Sequence, residues 1–275
     1  MNIIIISLER ASERREKINK QLSKLGIDAL IMDAVDGQTL PEEQRNKKIT
    51  LEGWFRCGEI CTPGEIACTM SHIKALHIAK QNEWDDVIIL EDDAVLADDF
   101  EGRIEFLRHI LPRNWEHIYL SGIPKAGDIK SLFLQCAHLV PSVFTMCTHA
   151  MMIRSSAYDK IIAKFNRFET TTDDMLCHMI TEEQSLDSYT YYPFVAYADN
   201  EFTYIWEHSQ GEEHPSKQYF ANRCRGRSGL TSRCVAIIWI VSSALRRGWR
   251  SKKWRQFCKR LLGSQQRVSH DKEVE

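Results

Sequence analysis

Residues 85 to 93 read Asp-Asp-Val-Ile-Ile-Leu-Glu-Asp-Asp, four consecutive apolar side chains that run without a break into three carboxylates. A short Val/Ile/Leu run with no polar alternation, preceded by a turn-like Trp84-Asp85-Asp86, is the pattern of a strand covered on both faces of a parallel sheet. Open α/β sheets bind their ligands in the crevice beyond the carboxyl ends of the strands. Glu91, Asp92 and Asp93 are therefore expected at the ligand edge. Three adjacent acids repel one another unless something positive relieves them, and a hard divalent cation bound to a diphosphate is the economical candidate. On a solvated turn the same triplet would be ordinary surface charge; the strand context favours metal ligation by Glu91, Asp92 and Asp93.

The rest of the chain supplies the matching alternation of strands and helices. Asn2 to Leu8 reads as a first strand, and Ala11 to Leu25 as a helix with Ile18, Leu22 and Leu25 on one stripe and Gly26 placed to end it. Leu30 to Val35 is a second strand, and residues 37–61 read as a long loop or flap. Thr62-Pro63-Gly64-Glu65 is a capping box with proline at the first helical position, opening a helix to about Gln81 with Ile66, Met70, Ile73 and His77 along one face. Asp98 or Asp99 is expected to cap a helix ending before Pro112. His117–Leu120 and His149–Ile153 read as strands, Ser156–Phe165 and Asp174–Ile180 as helices, and Tyr191–Ala198 as a late strand. At 275 residues and 43% hydrophobic, the chain can bury one catalytic-sized core.

Charge is distributed unevenly. Residues 214–270 hold 14 Lys and Arg and no Asp or Glu, whereas residues 1–213 carry a net −14. Within the basic part, the 12 residues Cys234–Leu245 are uncharged, too few for the about 20 apolar residues of a bilayer span. Beyond them Arg246, Arg247, Arg250, Lys252, Lys253 and Arg255 alternate with Trp249, Trp254 and Phe257, the composition of an interfacial helix drawn to anionic lipid. A core-packing helix with a solvated tail, or a nucleic-acid arm without its fold signature, are the alternatives. The N-terminus lacks the basic and long apolar regions of a signal peptide, and nine scattered cysteines fit reduced thiols, so a cytoplasmic location is expected. Cys57, Cys61, Cys68 and His72 can in principle ligate zinc, with Cys68 and His72 on one helix face, but their spacing matches no common finger or ribbon.

Five blocks occur together in order: Ile6-Ser7-Leu8-Glu9-Arg10 with Glu13-Arg14-Arg15, Asp33 to Gly37, Gly64 to His72, Ile89 to Asp93, and Thr172 to Leu176. In this combination the chain resembles glycosyltransferase family 25, which includes bacterial lipooligosaccharide galactosyltransferases and is similar to the catalytic domains of collagen galactosyltransferases. The resemblance covers about residues 1–210. It implies a GT-A type, Rossmann-like nucleotide-sugar fold with a mostly parallel central sheet, a UDP-sugar donor, usually UDP-galactose, and inversion at the anomeric carbon. Residues 211–275, the basic and amphipathic extension, lie outside it, and Phe202-Thr203-Tyr204-Ile205 departs from the Ser-Asp-Ile-like segment of relatives.

Displacing UDP requires the developing diphosphate charge to be neutralised, the role expected of Mn2+ or Mg2+ held by Asp93 with Asp92 or Glu91; His208 is a further candidate ligand. An acceptor hydroxyl must lose its proton as it attacks, so a carboxylate base is needed opposite UDP, and Asp173 or Asp174 is the candidate, one of the pair being available to cap the helix that follows. The loop after strand one, with Ser7, Leu8, Arg10, Arg14 and Arg15, lies at the same sheet edge, and its arginines can grip phosphate or uridine. Asp36 can take ribose hydroxyls, although Asp36-Gly37 is equally a turn. The resemblance places Ser71 and His72 near the donor. The expected activity is an inverting hexosyltransferase acting on the oligosaccharide of lipooligosaccharide or lipopolysaccharide at the cytoplasmic face of the inner membrane. A metal-dependent nucleotidyl or phosphoryl transferase fits less well, because no G-x-x-x-x-G-K-[ST] loop is present, and a non-catalytic membrane-bound assembly factor is the other alternative.

Overall fold

The computed structural model describes residues 1–45, 62–124, 138–142 and 145–198. The chain divides into two units, Met1–Glu212 and Glu213–Glu275. The second unit lies outside the described residues, and with it the basic extension; His208, Phe202–Ile205 and most of the 37–61 loop lie outside them too.

In the first unit a seven-stranded sheet runs in the order β2 (Leu30–Asp33), β1 (Ile3–Ser7), β3 (Asp86–Glu91), β9 (Ala150–Arg154), β5 (His117–Tyr119), β10 (Ser188–Tyr191) and β7 (Leu139–Pro141). β2, β1 and β3 are parallel, and β5 is parallel to β10; β9 is antiparallel to β3 and to β5, and β7 to β10. Five of the seven strands therefore point the same way, and the architecture is α/β with a mostly parallel central sheet.

The apolar runs explain the layering. Residues alternate across a pleated strand, so Ile3, Ile5, Ile88 and Leu90 pack on one face with Ile18 and Leu22 of α1 (Ser12–Leu25) and with Phe100, Ile104 and Leu107 of the helix Phe100–Ile110. Ile4, Ile6, Val87 and Ile89 pack on the other with Leu76 and Ala79 of the helix Pro63–Gln81 and with Tyr158, Ile161 and Phe165 of Ser155–Phe165. Val87 to Leu90 are all fully buried, as a strand covered on both sides must be. In chain order, after the short turn α2 (Glu42–Arg45), these helices are α3 (Pro63–Gln81), α4 (Phe100–Ile110), α5 (Ser155–Phe165) and α6 (Thr172–His178). Two-stranded pairs complete the described part, β4 (Ala94–Leu96) with β11 (Ala196–Ala198), and β6 (Ile123–Pro124) with β8 (Thr145–Met146).

Local chemistry sets several boundaries where expected. Gly26 adopts the left-handed conformation that ends α1. Thr62 Oγ1 accepts from the Glu65 backbone N–H while the Glu65 carboxylate accepts from the Thr62 N–H, closing the capping box of α3. Gly37 is required by close approach: a Cβ there would lie 2.7 Å from the Pro63 carbonyl oxygen.

Four expectations need correction. The late strand Tyr191–Ala198 splits into β10 and β11, because Pro193 between them has no N–H to donate to a ladder. Asp99 stands at the start of α4 but makes no capping bond; its carboxylate pairs with Arg103 at 2.6 Å. His77 is exposed, and the buried stripe of α3 instead runs through Ala67, Ser71, His72, Ala75 and Ala79, since this helix packs against both sheet and α5. The helix expected at 174–180 starts at Thr172 and passes into a π-helical turn at Met179–Glu183.

Candidate active site

Parallel pairing brings three strand ends to one place. β1 pairs Ile6 with Glu91 on one side and Ser7 with Asp33 on the other, so Ser7-Leu8, Ala34 to Gly37 and Glu91 to Asp93 converge at the carboxyl edge. Leu8, Ala34 to Gly37 and Glu91 to Asp93 line a cleft that Ala67, Cys68, Ser71 and His72 of α3 complete. Leu8, Arg10, Arg14, Asp36, Ser71, His72, Glu91, Asp92 and Asp93 all face this cleft. Ser7 lies just behind it, 99% buried.

The three acids at the end of β3 are held differently. Asp92 is compensated on both oxygens: Ser7 Oγ donates to Oδ2 at 2.7 Å and Arg14 donates to Oδ1 at 2.9 Å. Burial pushes its carboxyl up, against the pull of Ser7 and Arg14. Glu91 turns toward α3, where its Oε1 meets His72 Nε2 at 3.2 Å and accepts from Thr148 Oγ1 at 2.8 Å. Burial works to raise this carboxyl, but the hydrogen bond and charge of His72, with Thr148, hold it down at about 2. Asp93 has the weakest support. Its Oδ2 stands 3.9 Å from the Arg14 guanidinium, and its Oδ1 is buried with no hydrogen-bond partner. Burial first, then the charges of Glu91 and Asp92, raise its carboxyl to about 7 despite Arg14.

The arginines after β1, Arg10 in the loop and Arg14 and Arg15 in the first turn of α1, are tied to acids. Arg10 donates to Asp36 Oδ2 at 2.6 Å, while Asp36 Oδ1 accepts from the Gln38 N–H at 2.9 Å, so this carboxylate both closes a turn and faces the cleft. Arg15 does not line the cleft; it donates to Ser7 Oγ, to the Ser7 carbonyl and to Asp33, joining the ends of β1 and β2. Ser71 donates to the Ala67 carbonyl at 2.8 Å and accepts from the Val35 N–H at 2.9 Å, which pins α3 to the segment after β2.

Asp173 and Asp174 occupy the first turn of α6 and are not among the residues lining the cleft. Asp173 Oδ1 accepts from Thr171 Oγ1 at 2.6 Å and from the Asp174 N–H at 3.0 Å, and Oδ2 accepts from the Cys147 N–H at 3.4 Å. Burial, then the neighbouring Asp174, raises the Asp173 carboxyl. The link to the acidic triplet runs through Cys147. Burial and then the charges of Asp173, Glu91 and Asp93 push its thiol up to about 12, so both acidic groups act on one side chain. Cys147 also has φ +76°, a conformation that costs energy in a residue with a Cβ and that gathers at functional sites. A second tie joins α6 to the cleft helix, where the Thr69 and Thr172 hydroxyls meet at 2.8 Å.

Sequence reasoning missed Cys147 and Thr148. Both sit in the irregular stretch between β8 and β9, and no local motif marks a residue whose role is to touch an acid 57 positions away.

The chain matches the model of glycosyltransferase family 25, described as an LPS biosynthesis protein, over residues 1–185. The probable inactive glycosyltransferase 25 family member 3 of Bos taurus is 26% identical over 168 residues, covering 58% of this chain and 28% of that protein. A glycosyltransferase 25 family member of Drosophila melanogaster is 34% identical over 98 residues, 33% of this chain and 16% of that one. Procollagen galactosyltransferase 2 of Mus musculus is 27% identical over 125 residues, 43% and 20% respectively. The matches thus span less than a third of the length of these relatives. With the family model covering two thirds of its residues, and with its strand-end acids brought to one cleft with Arg10 and Arg14, the chain belongs to glycosyltransferase family 25.

Proposed function

We propose that this chain is an inverting hexosyltransferase that moves galactose from UDP-galactose to a lipid-linked oligosaccharide of the lipopolysaccharide type. The observation that carries the reading is Asp93, a residue lining the cleft at the carboxyl edge of the sheet whose Oδ1 is buried with no hydrogen-bond partner. An unpaired buried carboxylate costs free energy, and a cation in the cleft removes that cost.

Asp93 fits a divalent ion because it lines the cleft and its Oδ1 is buried without a hydrogen-bond partner, with Asp92 as the neighbouring ligand once a cation shares the load that Ser7 and Arg14 carry. Mn2+ or Mg2+ bound there would offset the charge that develops on the departing diphosphate. The chain's own residues do the rest. Arg14 steadies Asp92 and stands beside Asp93, offering guanidinium N–H groups toward phosphate. Arg10 and Asp36, already paired, form the side of the cleft suited to ribose and uracil edges. Asp173 or Asp174 would take the proton from the acceptor hydroxyl as it attacks the anomeric carbon; burial raises the Asp173 carboxyl, which makes its ionised form a stronger base than an ordinary carboxylate. The basic extension would hold the enzyme on anionic lipid, near its acceptor. No helix among the described residues is long and apolar enough to cross a membrane.

Purified full-length protein given labelled UDP-hexoses and Mn2+ should release UDP and transfer label to a cell-surface oligosaccharide acceptor, with UDP-galactose preferred. Consumption of a nucleoside triphosphate without sugar transfer would overturn the reading in favour of a nucleotidyl or phosphoryl transferase. Truncation after Gly229 should weaken binding to anionic vesicles while sparing activity on a soluble acceptor.

A further inference from the structure

At the back of the same cleft, three side chains of different chemistry converge. Cys68 and His72 are four residues apart on α3 and so share one face, and Glu91 at the end of β3 comes to meet them. The ligand atoms of Cys68, His72 and Glu91 all lie within 4.8 Å of one another. His72 Nε2 and Glu91 Oε1 are 3.2 Å apart, close to the about 3.3 Å edge of a tetrahedron whose metal–nitrogen and metal–oxygen bonds are about 2.0 Å. The frame is rigid before any ion arrives. α3 is capped at Thr62, Ser71 pins it to the segment after β2, and Thr148 fixes the Glu91 oxygen.

We infer that Cys68, His72 and Glu91 form a binding site for a thiophilic divalent cation, zinc in chemical type, distinct from the all-oxygen site at Asp93. Thiolate and imidazole select zinc over the Mg2+ and Mn2+ that carboxylate and phosphate oxygens favour. The charge sum supports the assignment: a thiolate, a carboxylate and a neutral imidazole around a dication form a neutral set, which burial favours over any unpaired charge. His72 is 99% buried and its Nε2 already faces the Glu91 carboxylate, so these two ligand atoms are enclosed and turned toward each other before an ion arrives. Without the ion the Cys68 thiol stays protonated, since burial and then the Glu91 charge push its pKa up. Binding therefore exchanges the thiol proton, released to solvent, for the metal–sulfur bond. All three residues line the cleft, which leaves a fourth position for water or a ligand oxygen, the pattern of an open three-ligand zinc site.

Co2+ titrated into the full-length metal-free protein reports a thiolate ligand through its sulfur-to-metal charge-transfer band. One equivalent should produce the band, Zn2+ should abolish it by displacement, and Mn2+ should not. Cys68→Ser should remove the band, and Cys68→Ser and His72→Gln should each weaken Zn2+ binding at least about 100-fold. Cys147→Ser and Asp93→Asn should retain the band. Thermal unfolding without metal separates lost ligation from lost folding, and Glu91→Gln, which keeps the Thr148 contact while removing the charge, provides a third independent ligand test. A band that survives Cys68→Ser would assign the thiolate to another cysteine and overturn the site, as would the absence of any band in the parent protein. Because the readout is metal binding, failure here leaves sugar transfer to be judged separately by the UDP-hexose assay.

Discussion

The acids at the end of β3 and the acids at the start of α6 are both consecutive carboxylates at the edge of a buried element, yet the fold treats them in opposite ways. Asp173 is satisfied by the backbone: a helix N–H, a loop N–H and the Thr171 hydroxyl surround it. The β3 triplet has no helix N-terminus to lean on and relies on side chains brought from far along the chain, Ser7, Arg14, His72 and Thr148. That arrangement leaves one oxygen of Asp93 unpaired. Backbone groups are always present at a helix start, so a carboxylate there is inexpensive to keep, whereas a strand end offers few N–H groups and its carboxylates need cations. The difference leaves the β3 triplet dependent on side-chain charge compensation, whereas Asp173 is held by backbone N–H groups and one hydroxyl.

The comparison breaks most sharply at Asp93. Asp93→Ala should lower metal-dependent turnover by on the order of 10³-fold, measured as UDP release at saturating Mn2+, whereas loss of the helix-start acids should leave Mn2+ affinity unchanged. Retained turnover in that variant would remove the hard-metal role from the triplet.

Next in size are Asp173→Asn and Asp174→Asn. At least one should reduce turnover by about 10² to 10⁴-fold with little change in donor KM, because a general base acts on the acceptor proton and not on donor binding. Near-normal rates in both would show that the helix-start pair only caps α6.

A third prediction concerns pH. The Asp93 carboxyl is raised from the ordinary 3.8 to about 7, so its contribution to stability is full below pH 3.8 and is lost as pH rises through about 7. Metal-free protein should therefore lose up to a few kcal/mol across that window relative to Asp93→Asn, read from the difference in unfolding midpoints. Mn2+ affinity should rise over the same range as the proton leaves, levelling off above pH 7. Glu91, shifted the other way, contributes stability that is lost only as pH falls below 4.5 toward about 2.

The smallest effects should come from the hydroxyls that separate the two groups. Thr171→Ala and Ser7→Ala each remove one hydrogen bond to a carboxylate and should cost about 1 to 3 kcal/mol in denaturant unfolding, the larger loss at Ser7, where the acid is more deeply enclosed.

Much of the scaffold was legible because its signals are local. The unbroken apolar runs of β1 and β3, the Gly26 stop and the Thr62–Glu65 capping box each operate within a few residues, so pattern alone recovers them. The parallel pairing of β1 with β2 and β3 then made the convergence of Ser7, Asp36 and Glu91–Asp93 a matter of strand direction. Where the structure departs from the sequence pattern, a competing interaction had overridden the simplest local preference. Asp99 took Arg103, one turn further along α4, instead of a capping bond, His77 was left exposed because α3 turns a different stripe to the sheet and α5, and Pro193, lacking an N–H, divided a strand that composition drew as continuous.

By itself the sequence determined that an acidic cluster would stand where a doubly covered strand leaves the sheet, since hydrophobic burial and strand direction permit no other place for it. Only the tertiary structure decided how the three acids divide their work. The division depends on which side chains reach each carboxylate, and Arg14, His72 and Thr148 arrive from two different helices and an irregular stretch up to 78 residues away. Electrostatic compensation falls steeply with distance in a buried site, so a few ångströms of packing separate a held carboxylate from a free one.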